Sequence, residues 1–125
     1  MQMFFESSNE YGSTYGLGIF QGHITGLQKE SLDGKSKVLP HMGWNKIIPA
    51  AAAPHNAQEV NQYFVHSYAA KDVKASEISH LCRYGDETFV AAVRKGSVAG
   101  FQFHPERSGQ DGLALLAKSI NELIA

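Results

Sequence analysis

His104 and Glu106 stand two apart in GFQFHPERSG, residues 100–109, with Pro105 between them at the end of an apolar run. In an extended segment, residues two apart share a face, so both side chains are expected to point the same way. Proline has no N–H and a fixed φ, so Pro105 is expected to end sheet pairing where the two side chains emerge. A carboxylate bonded to one imidazole nitrogen leaves the other free to take a proton from a thiol or hydroxyl. That is the chemistry of a general base with its orienting acid, and it calls for a nucleophile. The alternative is a histidine and a glutamate that satisfy each other at a strand end. Spacing alone leaves both readings open.

The chain has one cysteine, Cys82. It lies in SHLCRYGD between Leu81 and a turn signal, where a free cysteine is expected to act as a small hydrophobe. A lone cysteine also excludes an intramolecular disulfide. The six histidines (His23, His41, His55, His66, His80 and His104) show no HExxH spacing, and there is no CxxC, so no metal site is expected.

These residues must be positioned by a small scaffold. At 125 residues, the chain is expected to form a single domain over 1–125. Its 43% hydrophobic and 18% charged residues are those of an ordinary globular protein. A net charge of −1 without a basic stripe argues against nucleic-acid or anionic-membrane binding. The longest apolar run, IIPAAAAP at 47–54, is too short to span a bilayer. MQMFFESSNE lacks the segments of a signal peptide, so the expected compartment is the cytoplasm.

Along the chain, MQMFFESS reads as the first turns of a short helix, and GLGIF (16–20) and HITGL (23–27) read as short strands. QKESLDGKSK is a polar turn region. KVLPHMGWNKII is a strand broken by Pro40. PAAAAPHNAQEV is an alanine-rich connection whose second half carries a helical reading. QYFVHSY (62–68) reads as a buried strand. EISHLCRY, TFVAAVRK and VAGFQFH form a meander across two turns. Ser108 is then expected to cap a helix whose apolar positions Leu113, Leu116, Ile120, Leu123 and Ile124 recur at helical spacing. The sum is a β-rich α/β domain closed by an amphipathic helix. A doubly wound sheet needs repeated strand–helix–strand units, and the chain offers only one long helix.

GFQFHPERSG resembles the histidine and glutamate segment of triad (class I) glutamine amidotransferases. YFVHSY (63–68), LPHMGWN (39–45) and FFESSNE near the start narrow the resemblance to the glutaminase subunits of imidazole glycerol phosphate synthases, from histidine biosynthesis. The motifs fall in order along essentially the whole chain. The resemblance implies the C-terminal portion of a flavodoxin-like amidotransferase fold, with a β-rich mixed sheet. It implies glutamine hydrolysis to glutamate and ammonia with no metal or organic cofactor. The family's nucleophile is a cysteine on a G-x-C-x-G turn that would fall three residues before Met1. The expectation is therefore a truncated subunit that keeps its His–Glu half-site and is inactive alone.

Residue by residue, the resemblance implies His104 and Glu106 as catalytic. Gln2, Glu10, His66, Ser67 and Tyr68 are implied as glutamine-holding, the carboxylate of Glu10 suiting the α-ammonium. His41, Met42, Trp44, Asn45, Tyr63 and Arg107 would face the family's partner, a (β/α)8-barrel cyclase. At Arg107 the family commonly has lysine, and the two cations are not interchangeable in a tight gate. Two further expectations follow from a missing set of strands: self-association into a homo-oligomer that covers the exposed sheet, or completion by a second chain that supplies the cysteine.

Overall fold

A computed structural model describes residues 1–30, 34–53, 55 and 57–124. The aromatic and β-branched runs of the second half fold as the expected meander: β7 (Ile78–Tyr84), β8 (Glu87–Lys95) and β9 (Val98–Phe101). Each two-residue loop opens with a glycine at positive φ, Gly85 at 65° and Gly96 at 59°, a conformation that tight hairpins need and other residues resist. β4 (His41–Pro49) begins directly after Pro40 and pairs with both β5 (Val60–His66) and β7. The result is an antiparallel sheet of order β5-β4-β7-β8-β9. A smaller sheet joins β1 (Ser7–Ser8), β2 (Thr14–Tyr15), β3 (His23–Gly26) and β6 (Tyr68–Lys71) in the order β2-β1-β3-β6. There β1 runs parallel to β3 and the other pairs are antiparallel. A helix, α1 (Gly109–Ile124), closes the chain. The architecture is thus α/β, mostly strands, with a mixed sheet and a C-terminal helix.

β8 is buried on both faces and divides the core. Phe89, Ala91 and Ala92 join Ile47, Phe64, Cys82 and Phe103 in one cluster, while Val90 and Val93 join Phe5, Phe20 and Ile24 in the other. Phe64 meets Phe89 and Phe103 edge-on at centroid separations of 5.6 and 5.7 Å, the geometry that aromatic quadrupoles favour. At the head of β8, the Glu87 carboxylate is 7% exposed and ties three segments together. It receives Lys37 Nζ at 3.0 Å, Lys71 Nζ at 2.9 Å and the Gln28 N–H at 2.9 Å. Burial pushes its pKa up, and these donors outweigh that, holding it below the usual carboxylate value.

Several expected elements differ. MQMFFESS makes one 3-10 turn, Gln2–Phe4, because the chain turns extended at Phe5 and Glu6 N–H bonds the Gly22 carbonyl. GLGIF is not a strand; Gly16, Leu17, Gly18 and Phe20 donate instead to the carbonyls of Glu6, Met3, Phe5 and Phe4, laying the segment along the N-terminal turn. Residues 57–59 are not helical; Pro54 and Asn56 of the alanine-rich connection, and residues 31–33 of the polar turn, lie outside the described residues. α1 forms where expected, and its apolar positions divide: Leu113, Ile120 and Ile124 are 53, 49 and 77% exposed, whereas Leu116 and Leu123 are half-buried. Toward the sheet the helix seats a neighbouring line of residues, with Gly112 buried, Leu115 against the core and Glu122 paired to Arg94 at 2.8 Å.

Candidate functional site

His104 Nδ1 lies 2.8 Å from Glu106 Oε1. The expected pair forms, by a different route. Regular strand pairing stops at Phe101, and Pro105–Arg107 is a 3-10 turn that brings the carboxylate back beneath the ring. Since Glu106 accepts at Nδ1, that nitrogen carries the hydrogen and Nε2 is left to accept a proton. The Glu106 carboxyl sits below its usual range, held there first by its own backbone N–H and then by the His104 ring and Arg107.

The backbone of His104 is locked from two sides. Its N–H donates to the Tyr63 carbonyl at 2.9 Å, and its carbonyl accepts the Ser108 hydroxyl at 2.7 Å. Ser108 Oγ in turn accepts the Tyr63 N–H at 2.8 Å. Ser108 is therefore not a side-chain cap. Its carbonyl takes the first helical N–H, from Gly112, while its hydroxyl is turned inward at 1% exposure to join β5 to the turn that carries His104. Sequence reasoning missed this role, since a serine before an apolar helix signals a cap first.

Gln2, Glu10, His66, Ser67 and Tyr68 all line one open cleft of about 540 Å³, together with Gln102, two residues before His104. Gln2 Nε2 donates to the Tyr68 carbonyl and to Gln102 Oε1, each at 3.1 Å. Gln102 was not anticipated; its alternation with Phe101 and Phe103 is the available signal. The His66 imidazole itself is buried at 7% and points away into the core, so its segment offers the cleft mainly backbone. Burial lowers the His66 pKa, and a positive charge at His104 would lower it further.

The residues expected at a partner surface divide by face. Met42 (62% exposed) and Trp44 (59%) stand on the outer face of β4, opposite Val65 and Tyr63 of β5. Trp44 meets Tyr63 edge-on at 6.2 Å, and the Arg107 guanidinium lies 5.3 Å over the Tyr63 ring. Val65 belongs to this patch and was missed. His41 and Asn45 alternate to the inner face. His41 is 3% exposed and packed against Tyr84 and Phe64, so its side chain cannot touch a partner.

Cys82 is fully buried in the larger core cluster, and burial pushes its thiol up to about 12. It is a packing residue, as expected. Among the described residues no group of histidine, cysteine and carboxylate side chains could hold a metal ion, and no helix is long and apolar enough to cross a membrane.

A His–Glu pair beside such a cleft is the arrangement of a general base with its orienting acid, and comparison with known proteins gives the family. The class-I glutamine amidotransferase model matches residues 1–123, and the chain belongs to that family. Within it, the chain is similar to proteins named imidazole glycerol phosphate synthase subunit HisH. It is 39% identical to that of Carboxydothermus hydrogenoformans over 99% of this chain and 59% of the relative. For the Thermotoga maritima protein the identity is 39%, over 96% of this chain and 54% of the relative. For that of Rhodopirellula baltica it is 41%, over 94% and 56%. The chain thus spans a little over half the length of these relatives.

Proposed function

We propose that this chain is the base-side half of a glutaminase site for histidine biosynthesis, working with a thiol from outside these 125 residues. The observation that carries the reading is the single cleft lined by all five residues expected to hold glutamine, with the His104–Glu106 pair two residues beyond its Gln102 wall. The supplied thiolate attacks the side-chain amide carbon of glutamine, and His104 Nε2 takes the thiol proton and hands it to the departing ammonia. Water, deprotonated by His104, then cleaves the γ-glutamyl thioester to glutamate. Glu106 keeps the imidazole oriented and stabilises its charged form. Cys82, buried and with a thiol pKa near 12, does not serve as the nucleophile. The patch of Met42, Trp44, Tyr63, Val65 and Arg107 supplies aromatic anchors for a (β/α)8-barrel cyclase, and the working compartment is the cytoplasm.

The chain alone should release no glutamate from glutamine. Mixed with a barrel cyclase and with a relative's N-terminal fragment carrying the G-x-C-x-G turn, it should release glutamate, with or without Cys82→Ala. Release by the chain alone would overturn the reading. Trp44 is the one tryptophan and is exposed, so cyclase docking should shift its fluorescence to the blue; an unmoved spectrum with a bound cyclase would place the interface elsewhere. A second reading, self-association, is favoured by the exposed Leu113, Ile120 and Ile124 stripe on α1. Light scattering decides it: a monomer across a wide concentration range removes it.

A further inference from the structure

His41 sits at the centre of a hydrogen-bond chain whose direction is fixed at both ends. At the outer end, the Asn45 amide is oriented by backbone: Oδ1 accepts the Lys46 N–H at 2.8 Å, and Nδ2 donates to the Arg83 carbonyl at 2.8 Å. Its second hydrogen meets His41 Nε2 at 3.1 Å, so that nitrogen must accept. His41 Nδ1 then carries the proton and donates to His66 Nε2 at 2.9 Å. His66 Nε2 is thereby an acceptor, and Nδ1 donates to the Tyr68 carbonyl at 2.9 Å. Starting from the other end gives the same assignment, because the Tyr68 carbonyl can only accept. That carbonyl also takes a hydrogen from Gln2.

Both imidazoles are held in this arrangement by packing. His41 lies 4.3 Å from the Tyr84 ring and 4.8 Å from Phe64, and His66 lies 4.8 Å from Phe89. Burial lowers the pKa of each, which keeps both neutral and able to accept at one nitrogen. A ring that lost its donor here would leave a buried acceptor unpaired, a state costlier than the bond is favourable.

We infer that Asn45, His41 and His66 form a polar relay tying strand β4, behind its Trp44 face, to the Tyr68 carbonyl in the cleft wall, with His41 as the positioning residue at its middle. Naming that face barrel-directed and that cleft glutamine-holding rests on the proposed function; the relay does not. A movement of β4 that turns the Asn45 amide removes the donor to His41, lets its tautomer exchange, and weakens the donor that completes His66. The cleft wall then loses one of the two hydrogens that pin Tyr68.

Long-range ¹⁵N–¹H spectra of the whole chain at neutral pH test this directly. Both His41 and His66 should show a protonated Nδ1 and a bare Nε2, although free neutral imidazole favours the opposite tautomer. Protonation at Nε2 on either ring would overturn the relay, and this measurement needs no variant. Asn45→Leu should then move the His41 nitrogens toward a tautomer mixture and shift the Ser67 and Tyr68 amide signals. His41→Asn, which restores a donor in place of Nδ1, should leave His66 closer to wild type than His41→Phe does. Changes confined to β4 and β7, with His66 and Tyr68 unmoved, would also overturn it. Absent glutamine turnover in the completed enzyme would count against the proposed function and leave these tautomers standing, so the two failures are distinct.

Discussion

His104 meets a carboxylate at 2.8 Å with side chains that are 41% and 60% exposed, whereas His41 meets another histidine at 2.9 Å with both rings in the core. The first pair joins a base to a carboxylate at the surface. The second joins two neutral rings through one hydrogen bond, and a positive charge on either is resisted by burial, on His41 also by the His66 ring. On the proposed function, one residue type thus serves proton transfer in one place and fixed geometry in the other. Solvent access and the partner's charge make the difference.

Breaking the exposed pair should have the largest effect, and on chemistry only. In the completed glutaminase, His104→Ala should lower kcat by about 10³-fold or more, the scale of a lost general base. The urea midpoint should move little, because an exposed imidazole leaves no cavity. A chain that unfolds on this substitution, or one that retains turnover, would mean that His104 belongs with the structural pair.

Glu87 tests the buried side of the comparison. Its charge raises the His66 pKa against the pull of burial, and it neutralises Lys37, whose side chain is only 6% exposed. Glu87→Ala would leave that ammonium buried and unpaired, so unfolding free energy should fall by about 3–5 kcal/mol. A loss near zero in urea denaturation would show Lys37 escaping to water.

Acid separates the two pairs next. His41 has a pKa lowered from 6.5 to about 4 by burial and by His66, so between those values the unfolded chain binds a proton that the fold refuses. Stability should be flat above pH 6.5, fall as the pH drops toward 4, and level off below for this group. The loss from His41 is on the order of 3 kcal/mol, and His66 and His80, also lowered, add in the same direction. Glu87, lowered from 4.5, begins its own acid loss only near pH 4.5, at the low end of that window, and continues it below. Titrating His41→Asn alongside should flatten the slope between pH 6.5 and 4; an unchanged slope would assign it elsewhere.

How much of this was legible depended on whether the signal was local. HPE names its own neighbours, and the pair formed although a 3-10 turn replaced the extended geometry. The meander was legible because β-branched runs and glycine turns act within a few residues. His41 was misplaced because the motif HMGWN does not say which face each residue takes; alternation along β4 put Met42 and Trp44 outside and His41 and Asn45 inside. Its partner His66 lies 25 residues away, directly opposite in register, and only the pairing of β4 with β5 reveals it. The α1 stripe was legible only in part for a related reason: periodicity shows which positions are apolar, but the sheet seats Gly112 and Leu115 and leaves Leu113, Ile120 and Ile124 exposed.

Gln62 offers the smallest and sharpest comparison, because it lies two residues before Phe64 on the same inward face as His66, yet is left unsatisfied. Its side chain is fully buried, and neither its amide nitrogen nor its oxygen has a hydrogen-bond partner among the described residues. The histidines show that this face of β5 tolerates polar groups when each donor meets an acceptor; Gln62 has the burial without the pairing. A buried unpaired amide costs about 1–3 kcal/mol, while an apolar side chain of similar shape does not. Gln62→Leu should therefore raise the unfolding free energy by about 1–2 kcal/mol, whereas the same kind of substitution at His41, to Phe, should lower it. Urea denaturation of the two variants in parallel checks both signs, and stabilisation by both would mean that the histidine chain contributes nothing to the fold that packing alone does not.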